Sequence, residues 1–388
     1  MDIITNNEKE RRWKKIRESM EKQGLESLIV FGTFGRHRNL CANLRYLCNV
    51  PTEGYLVFPL KDEPTLFTFL SRMDPKAWVT DWRCGHPVYS KVISERLREL
   101  RVDKSKIGIV ELSGYSGEFG FPQTTYASLL KNHPEAQFVD ATYILDQAML
   151  IKSDAEIKCL ELGCEIADKV IEAIICIGGV GVPDYEIRAT IMDTLFREGC
   201  EPGSMLLFGS GKEISHAGKG GYAKPPDKRP LEKGDVILTE FDASYYGYLA
   251  QYNQPFSVGE PDREWRDIFE MAVVCFSNGI RNLKPGITAG DLDKAFTTPI
   301  VEAGYIYTHP TFHGIGLKLE EPIGNFPAQP EYRPNPNFIL QTGMVLEFEP
   351  QVVTSDVRKG LSLGIPVLIT DTGCRLLSKT WKPEFKIV

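Results

Sequence analysis

The pattern of the chain changes at Ser153, and that break limits the possible folds more than any other feature. Before it, apolar runs that read as strands (Leu25–Phe31, Tyr55–Leu60, Thr65–Leu70, Ile107–Leu112 and Phe138–Ala141) are interspersed with helical stretches at Glu8–Gln23 and Thr124–Asn132. Trp13, Ile16 and Met20 lay an apolar stripe along the first helix. Arg36–Leu47 reads as a loop entering a short helix or turn. This alternation predicts an α/β domain over residues 1–150.

From Ser153 the grouping is different. Ser153-Asp-Ala-Glu156 has the form of a capping box, and Ile157, Leu160, Ala167, Ile171 and Ile174 follow at helical spacing. A second helix is predicted over Pro183–Glu198, closed by Gly199. Strands are then expected at Ser204–Gly209, Val236–Ala243 and Gly247–Phe256, and helices at Pro261–Asn282 and Ala289–Ala303. The end is β-rich, with Phe312–Leu319, Met344–Gln351 and Leu361–Thr370, and Pro327–Pro336 reads as a surface loop. Runs of helices and runs of strands, without strict alternation, make residues 151–388 an α+β domain.

Composition narrows the function. The formal net charge of -7 argues against a nucleic-acid binder, and no segment is long and apolar enough to span a membrane. The polar, acidic N-terminus is not a signal peptide, so a cytoplasmic location is expected. The nine cysteines are an odd number without a C-x-x-C pair. They read as small buried hydrophobes in a reducing compartment, not as disulfides or a zinc site.

The residues able to carry chemistry gather late in the chain. On a strand, residues two apart share a face. Glu240 and Asp242 therefore point one way, opposite Thr239 and Phe241, while Glu347 and Glu349 share a face opposite Leu346 and Phe348. A strand with one solvated face would show the same alternation. The nearby histidines shift the balance: His309 and His313 lead into a Gly-x-Gly turn, and His216 ends the loop Gly209-Ser-Gly-Lys-Glu-Ile-Ser-His216. Imidazoles beside carboxylates can form either a metal site or a general acid–base site.

The order and spacing of these motifs resemble the creatinase, aminopeptidase P and prolidase superfamily with its pita-bread catalytic domain. The resemblance runs through Asn43-Leu-Arg-Tyr-Leu47, Ile151–Ile157, His216, Lys233–Leu238 with Gly247-Tyr248, Phe312–Leu317, Gly343–Pro350 and Gly360–Gly373. It implies the fold, a homodimer, and a first-domain loop near Val50–Gly54 reaching the partner's site, with Thr52 and Glu53 as its contacts. It also implies two metal ions held by two aspartates, one histidine and two glutamates. Here those positions read Glu240, Gln251, His313, Glu349 and Gly364, and Glu320 stands where the peptidases have a second histidine.

With Gln251 neutral and Gly364 bare, the expectation is a metal-independent, creatinase-like hydrolase that needs no cofactor. It would cleave a C–N bond in a small cationic or zwitterionic amino-acid-like substrate. His216, His313, Glu349 and Glu240 would be catalytic, with His216 as a general acid–base titrating near the working pH. Asp242, His309, Gln251, Asn253, Glu347 and Glu53 would bind the substrate. The alternatives are a lyase of the dimethylsulfoniopropionate type with one divalent ion on Glu240, Asp242, His313 and Glu349, an Xaa-Pro peptidase, or a binding protein without activity.

Overall fold

The computed structural model describes residues 3–33, 39–69, 74–85, 88–112, 120–201, 205–216, 225–323 and 335–388. The chain divides into two compact units, the first running to Met149 and the second starting at Leu150.

In chain order, the elements up to this division are α1 (Asn6–Gln23), β1 (Ser27–Gly32), α2 (Asn39–Cys48), β2 (Gly54–Pro59), β3 (Thr65–Thr68), β4 (Asp81–Cys84), α3 (Tyr89–Glu99), β5 (Lys106–Val110), α4 (Gln123–Asn132), β6 (Gln137–Asp140) and α5 (Thr142–Leu150). The strands form one mixed sheet in the order β4-β3-β2-β1-β5-β6. β1 is central, antiparallel to β2 and parallel to β5. Ile29, Val57, Phe67, Ile107 and Ile109 build its core with Leu97 and Leu129 from two helices. The stripe of α1 is buried as its spacing requires, and Glu8 and Arg12 are buried with it. The guanidinium of Arg12 donates to Glu8 (2.8 Å) and to the Tyr46 carbonyl (3.2 Å), and it stacks over the Tyr46 ring.

In this unit β4, α3 and α5 have no counterpart among the predicted elements. No β4 residue is fully buried, so it shows no apolar alternation, and α5 is only 9 residues long, too short for a clear helical period. Within Arg36–Leu47, expected as a loop entering a short helix or turn, α2 is that helix, while residues 36–38 lie outside the described residues, as do Leu70, Ser204 and most of the proline-rich segment, 327–334.

The second unit opens with α6 (Asp154–Ile177). Its capping box is complete: the Ser153 hydroxyl accepts from the Glu156 amide, and the Glu156 carboxylate accepts from the Ser153 amide. There follow α7 (Asp184–Arg197), β7 (Leu206–Gly211), β8 (Val236–Tyr245), β9 (Tyr248–Ser257), α8 (Arg263–Asn282) and α9 (Ala289–Glu302). Short strands complete the unit: β10 (Phe312–Gly314), β11 (Val345–Phe348), β12 (Gln351–Val353), β13 (Gly360–Ser362), β14 (Pro366–Ile369), β15 (Cys374–Leu376) and β16 (Lys386–Ile387). They form sheets in the orders β16-β9-β8-β7 and β10-β11-β14-β15, plus the pair β12-β13. The expected strand Met344–Gln351 is broken at Pro350, which has no amide to give a ladder, and Leu361–Thr370 is broken around Gly364 and Pro366. Helix groups followed by antiparallel strands make the fold α+β, as the sequence implied. No helix of the described residues is long and apolar enough to cross a membrane.

Candidate functional site

The site starts from a two-residue turn. β8 and β9 pair from Val236↔Ser257 to Tyr245↔Tyr248, and the two residues between have positive φ, 51° at Tyr246 and 78° at Gly247. Positive φ at both central positions is the type I′ pattern, whose twist suits a tight hairpin. The turn fixes the register, and the register sets Glu240 opposite Asn253 and Asp242 opposite Gln251. Cross-strand partners share a face, so the four side chains lie together.

A second sheet supplies the rest. In the β10–β11 ladder His313 pairs with Glu347, and Glu349 follows directly after β11. The two sheets meet where Asn253 and Gly364 exchange backbone hydrogen bonds of 3.0 and 2.9 Å. A Cβ built on Gly364 would lie 2.6 Å from the Phe348 carbonyl carbon and closer still to its oxygen. Position 364 therefore lacks a side chain and also the room for one.

These strands do not have a solvated face. Asp242, Glu347 and Asn253 are 0% exposed and Gln251 2%, so the carboxylates sit in the interior. Burial and the neighbouring charges of Glu349, Glu240 and Asp242 raise the Glu347 carboxyl well above its usual range. Glu349 is raised likewise by burial, Glu240 and Glu320, and burial pushes Glu320 up to about 7. The Asn253 amide faces Glu347 and Glu349 closely enough to ease both shifts, without a hydrogen bond of full geometry. The Gln251 amide donates from Nε2 to Glu240 Oε1 at 2.8 Å.

The histidines separate. Nδ1 of His313 lies 3.0 Å from the Gly314 carbonyl, an acceptor, so Nδ1 carries the proton and Nε2 presents its lone pair. That Nε2 is 3.8 Å from Glu349 Oε1, and burial lowers the ring to about 4. His216 is lowered to about 3, by burial first and the nearby His309 second. It therefore stays neutral across the working range, where the sequence reading had it titrating. His309 is exposed and tied to Thr308 and Gln351. Glu53 lies in the first unit just ahead of β2, where Thr33 donates to it at 3.5 Å.

Gln351 and the buried Lys152–Glu321 ion pair were not picked out from the sequence. Gln351 follows Glu349-Pro350 directly, and that adjacency was the available signal. Nothing local pairs Lys152 with a residue so far along the chain.

The comparisons fit this architecture. The model of the creatinase/prolidase N-terminal domain matches residues 12–148, and that of metallopeptidase family M24 matches residues 158–371. An Xaa-Pro dipeptidase of Pyrococcus horikoshii is 30% identical over 266 residues, which are 68% of this chain and 72% of that protein. One from Pyrococcus furiosus is 27% identical over 73% of this chain and 82% of its own. Among solved structures, an X-Pro aminopeptidase from Thermotoga maritima superposes with a TM-score of 0.82 at 19% identity, covering 97% of this chain and 99% of that one. An Xaa-Pro dipeptidase from Bacillus anthracis reaches 0.79 at 21%, covering 98% and 100%.

These matches bear out the superfamily and an enzyme that hydrolyses C–N bonds. They overturn the metal-independent, creatinase-like reading and its expectation of no cofactor, because the matching family is one of metallopeptidases and the named relatives are Xaa-Pro dipeptidases. At the two remaining motif positions, Gln251 presents an N–H donor to Glu240 and Gly364 has no room for a side chain. The step from there to no metal at all was the error.

Proposed function

This chain belongs to metallopeptidase family M24, and from that premise we propose that it hydrolyses the peptide bond of small Xaa-Pro substrates. The observation that carries the reading is the relative at 30% identity, an Xaa-Pro dipeptidase matched over 72% of its length. The buried cluster of carboxylates and imidazoles in the second unit supports it, as a place where a polarised peptide carbonyl and a water could be held. Residues 1–150 form the first domain in this reading and 151–388 the catalytic one.

One divalent ion suits the residues present. The Glu347 carboxylate is buried with neither oxygen hydrogen-bonded, and carboxylates with one imidazole are a donor set for manganese, zinc or iron. Glu240, Asp242, His313, Glu347 and Glu349 are the candidate donors. Bound there, the ion would polarise a carbonyl and acidify a water.

The chain's own groups do the remaining work. Nε2 of His313 offers a lone pair, with its proton fixed on the opposite nitrogen by Gly314. Glu349, raised by burial and its neighbours, is the group best placed to move a proton. His216, neutral and buried, binds substrate as a hydrogen-bonding partner. Asn253 and Gln251 orient it from β9, and His309 with Gln351 forms the rim. A cytoplasmic homodimer in which Glu53 approaches the partner's site completes the proposal.

The test is release of free proline from a panel of Xaa-Pro dipeptides, with Xaa-Ala dipeptides as controls. Proline release supports the reading. Equal rates on both sets, or none on either, remove it.

A further inference from the structure

The Gly-x-Gly turn after His313 has no part in the proposed chemistry. Neither Gly314 nor Gly316 adopts a left-handed φ, so what these positions demand is room. Both are crowded by the same residue. A Cβ on Gly314 would lie 2.8 Å from the Glu321 carbonyl oxygen, and one on Gly316 would run into Glu321 Oε1 and sit 3.2 Å from Lys152 Cε. The Glu321 carboxylate cannot swing aside, because Lys152 holds it in an ion pair whose side chains are only 1% and 2% exposed. Lys152 is itself fixed: its ammonium also donates to the Leu150 carbonyl at 3.2 Å, and its amide to the Gly343 carbonyl at 2.9 Å. A buried ion pair often returns no more stability than its desolvation costs, so stability alone is a poor account of this one.

We propose that the Lys152–Glu321 pair is a positioning device: it pins residue 321 against the Gly314–Gly316 turn and through that turn sets the His313 ring. The link is one carbonyl. Gly314 O accepts from the Glu321 amide at 2.8 Å, and it is also the acceptor 3.0 Å from His313 Nδ1 that keeps the proton there. The other end of the turn is tied to β9, where the Leu249 amide donates to Gly316 O at 2.8 Å, two residues before Gln251. Glu320 is carried along with its neighbour, and its charge acts on Glu349. Lys152 and Glu321 therefore act through the turn, and partners that orient a ligand residue are worth about 10–100-fold in activity. The inference rests on the proposed function only for the role of His313.

The experiment uses the full chain, carrying nitrogen-15 histidine, in chelator-containing buffer near neutral pH. Proton–nitrogen correlation reads the tautomer of each ring, and His313→Asn assigns the signal. Wild-type His313 should be protonated at Nδ1 alone; a ring protonated at Nε2, or a mixture, overturns the proposal. Lys152→Met removes one charge of the pair. Because that variant can fail to fold, the double variant Lys152→Met with Glu321→Gln removes both and leaves no charge stranded. In either, the expected result is a His313 ring that mixes both tautomers, with kcat per folded molecule about 10–100-fold lower at a little-changed KM. A merely structural pair would lower the melting temperature and leave the tautomer alone. A wild-type His313 signal in a folded variant therefore overturns the proposal, and so does a double variant that no longer folds. Turnover is scored separately. No Xaa-Pro hydrolysis by the wild type removes the proposed function and leaves the tautomer to decide this inference.

Discussion

Gly364 lies so close to Phe348 that a Cβ on it would fall 2.6 Å from the Phe348 carbonyl carbon, inside any permitted contact. The backbone bridge to Asn253 holds it there. Gly364→Ala must therefore push two strands apart, and overpacking of this kind costs roughly 3 kcal/mol or more. The expected outcome is a fall in melting temperature of about 6 °C or more for the second unit. Gly364→Glu should be worse, and should not add a metal ligand. An unchanged thermal melt for Gly364→Ala would show that the strands can separate freely.

The turn at Tyr246-Gly247 sets the register of every site residue on β8 and β9. Gly247 has φ 78°, where a Cβ costs about 1–2 kcal/mol. Gly247→Val should lower stability by at least that much and reduce activity, although the turn touches none of the proposed ligands. Chemical denaturation with turnover measured on the same sample checks both effects.

His313 is the residue on which the proposed chemistry depends most. Replacing it with alanine removes the one imidazole among the candidate metal donors and should cost at least about 10–100-fold in activity, the range seen for losing even a partner that only orients a metal ligand. The melting curve should stay cooperative, since the ring's hydrogen bond is to its neighbour Gly314. Activity within threefold of wild type would exclude the assignment.

Stability of the first unit should depend on pH through Glu8. Burial raises its carboxyl, but hydrogen bonds and charge from Arg11 and Arg12 more than reverse that, leaving it below its ordinary 4.5. The folded state therefore holds this proton less tightly than the unfolded chain. Its contribution is present above about pH 4.5 and is lost as pH falls through the lowered value. Glu8→Gln should lower stability near neutrality, because it removes the carboxylate charge facing the buried Arg12, and should flatten the acid side of the stability curve. Denaturation at pH 7 and pH 3 measures both. An equally steep acid limb in the variant would assign that limb to other groups.

Much of this molecule is readable without its coordinates, for identifiable reasons. The Ser153 capping box, the stripe of Trp13, Ile16 and Met20, and the carboxylate face of β8 are local patterns, and local patterns survive in sequence. β4 and α5 left no such trace, one half-exposed and the other only 9 residues long. Whether the carboxylate face was wet or buried could not be read, because burial depends on a second sheet far along the chain. The same distance hid the lowered pKa of His216, which burial causes. Gln251 and Gly364 read as departures from the resembled motif. The step from them to a metal-independent enzyme is overturned by the metallopeptidase family that the chain matches.

The central claim is tested most directly by proline release from Xaa-Pro dipeptides, measured on the chelator-treated protein before and after Mn²⁺ is restored. The account predicts that proline release is absent from the stripped protein and returns with the metal, while Xaa-Ala dipeptides are left intact. Hydrolysis that persists undiminished after stripping, or no proline release from protein that has demonstrably bound the ion, would contradict it.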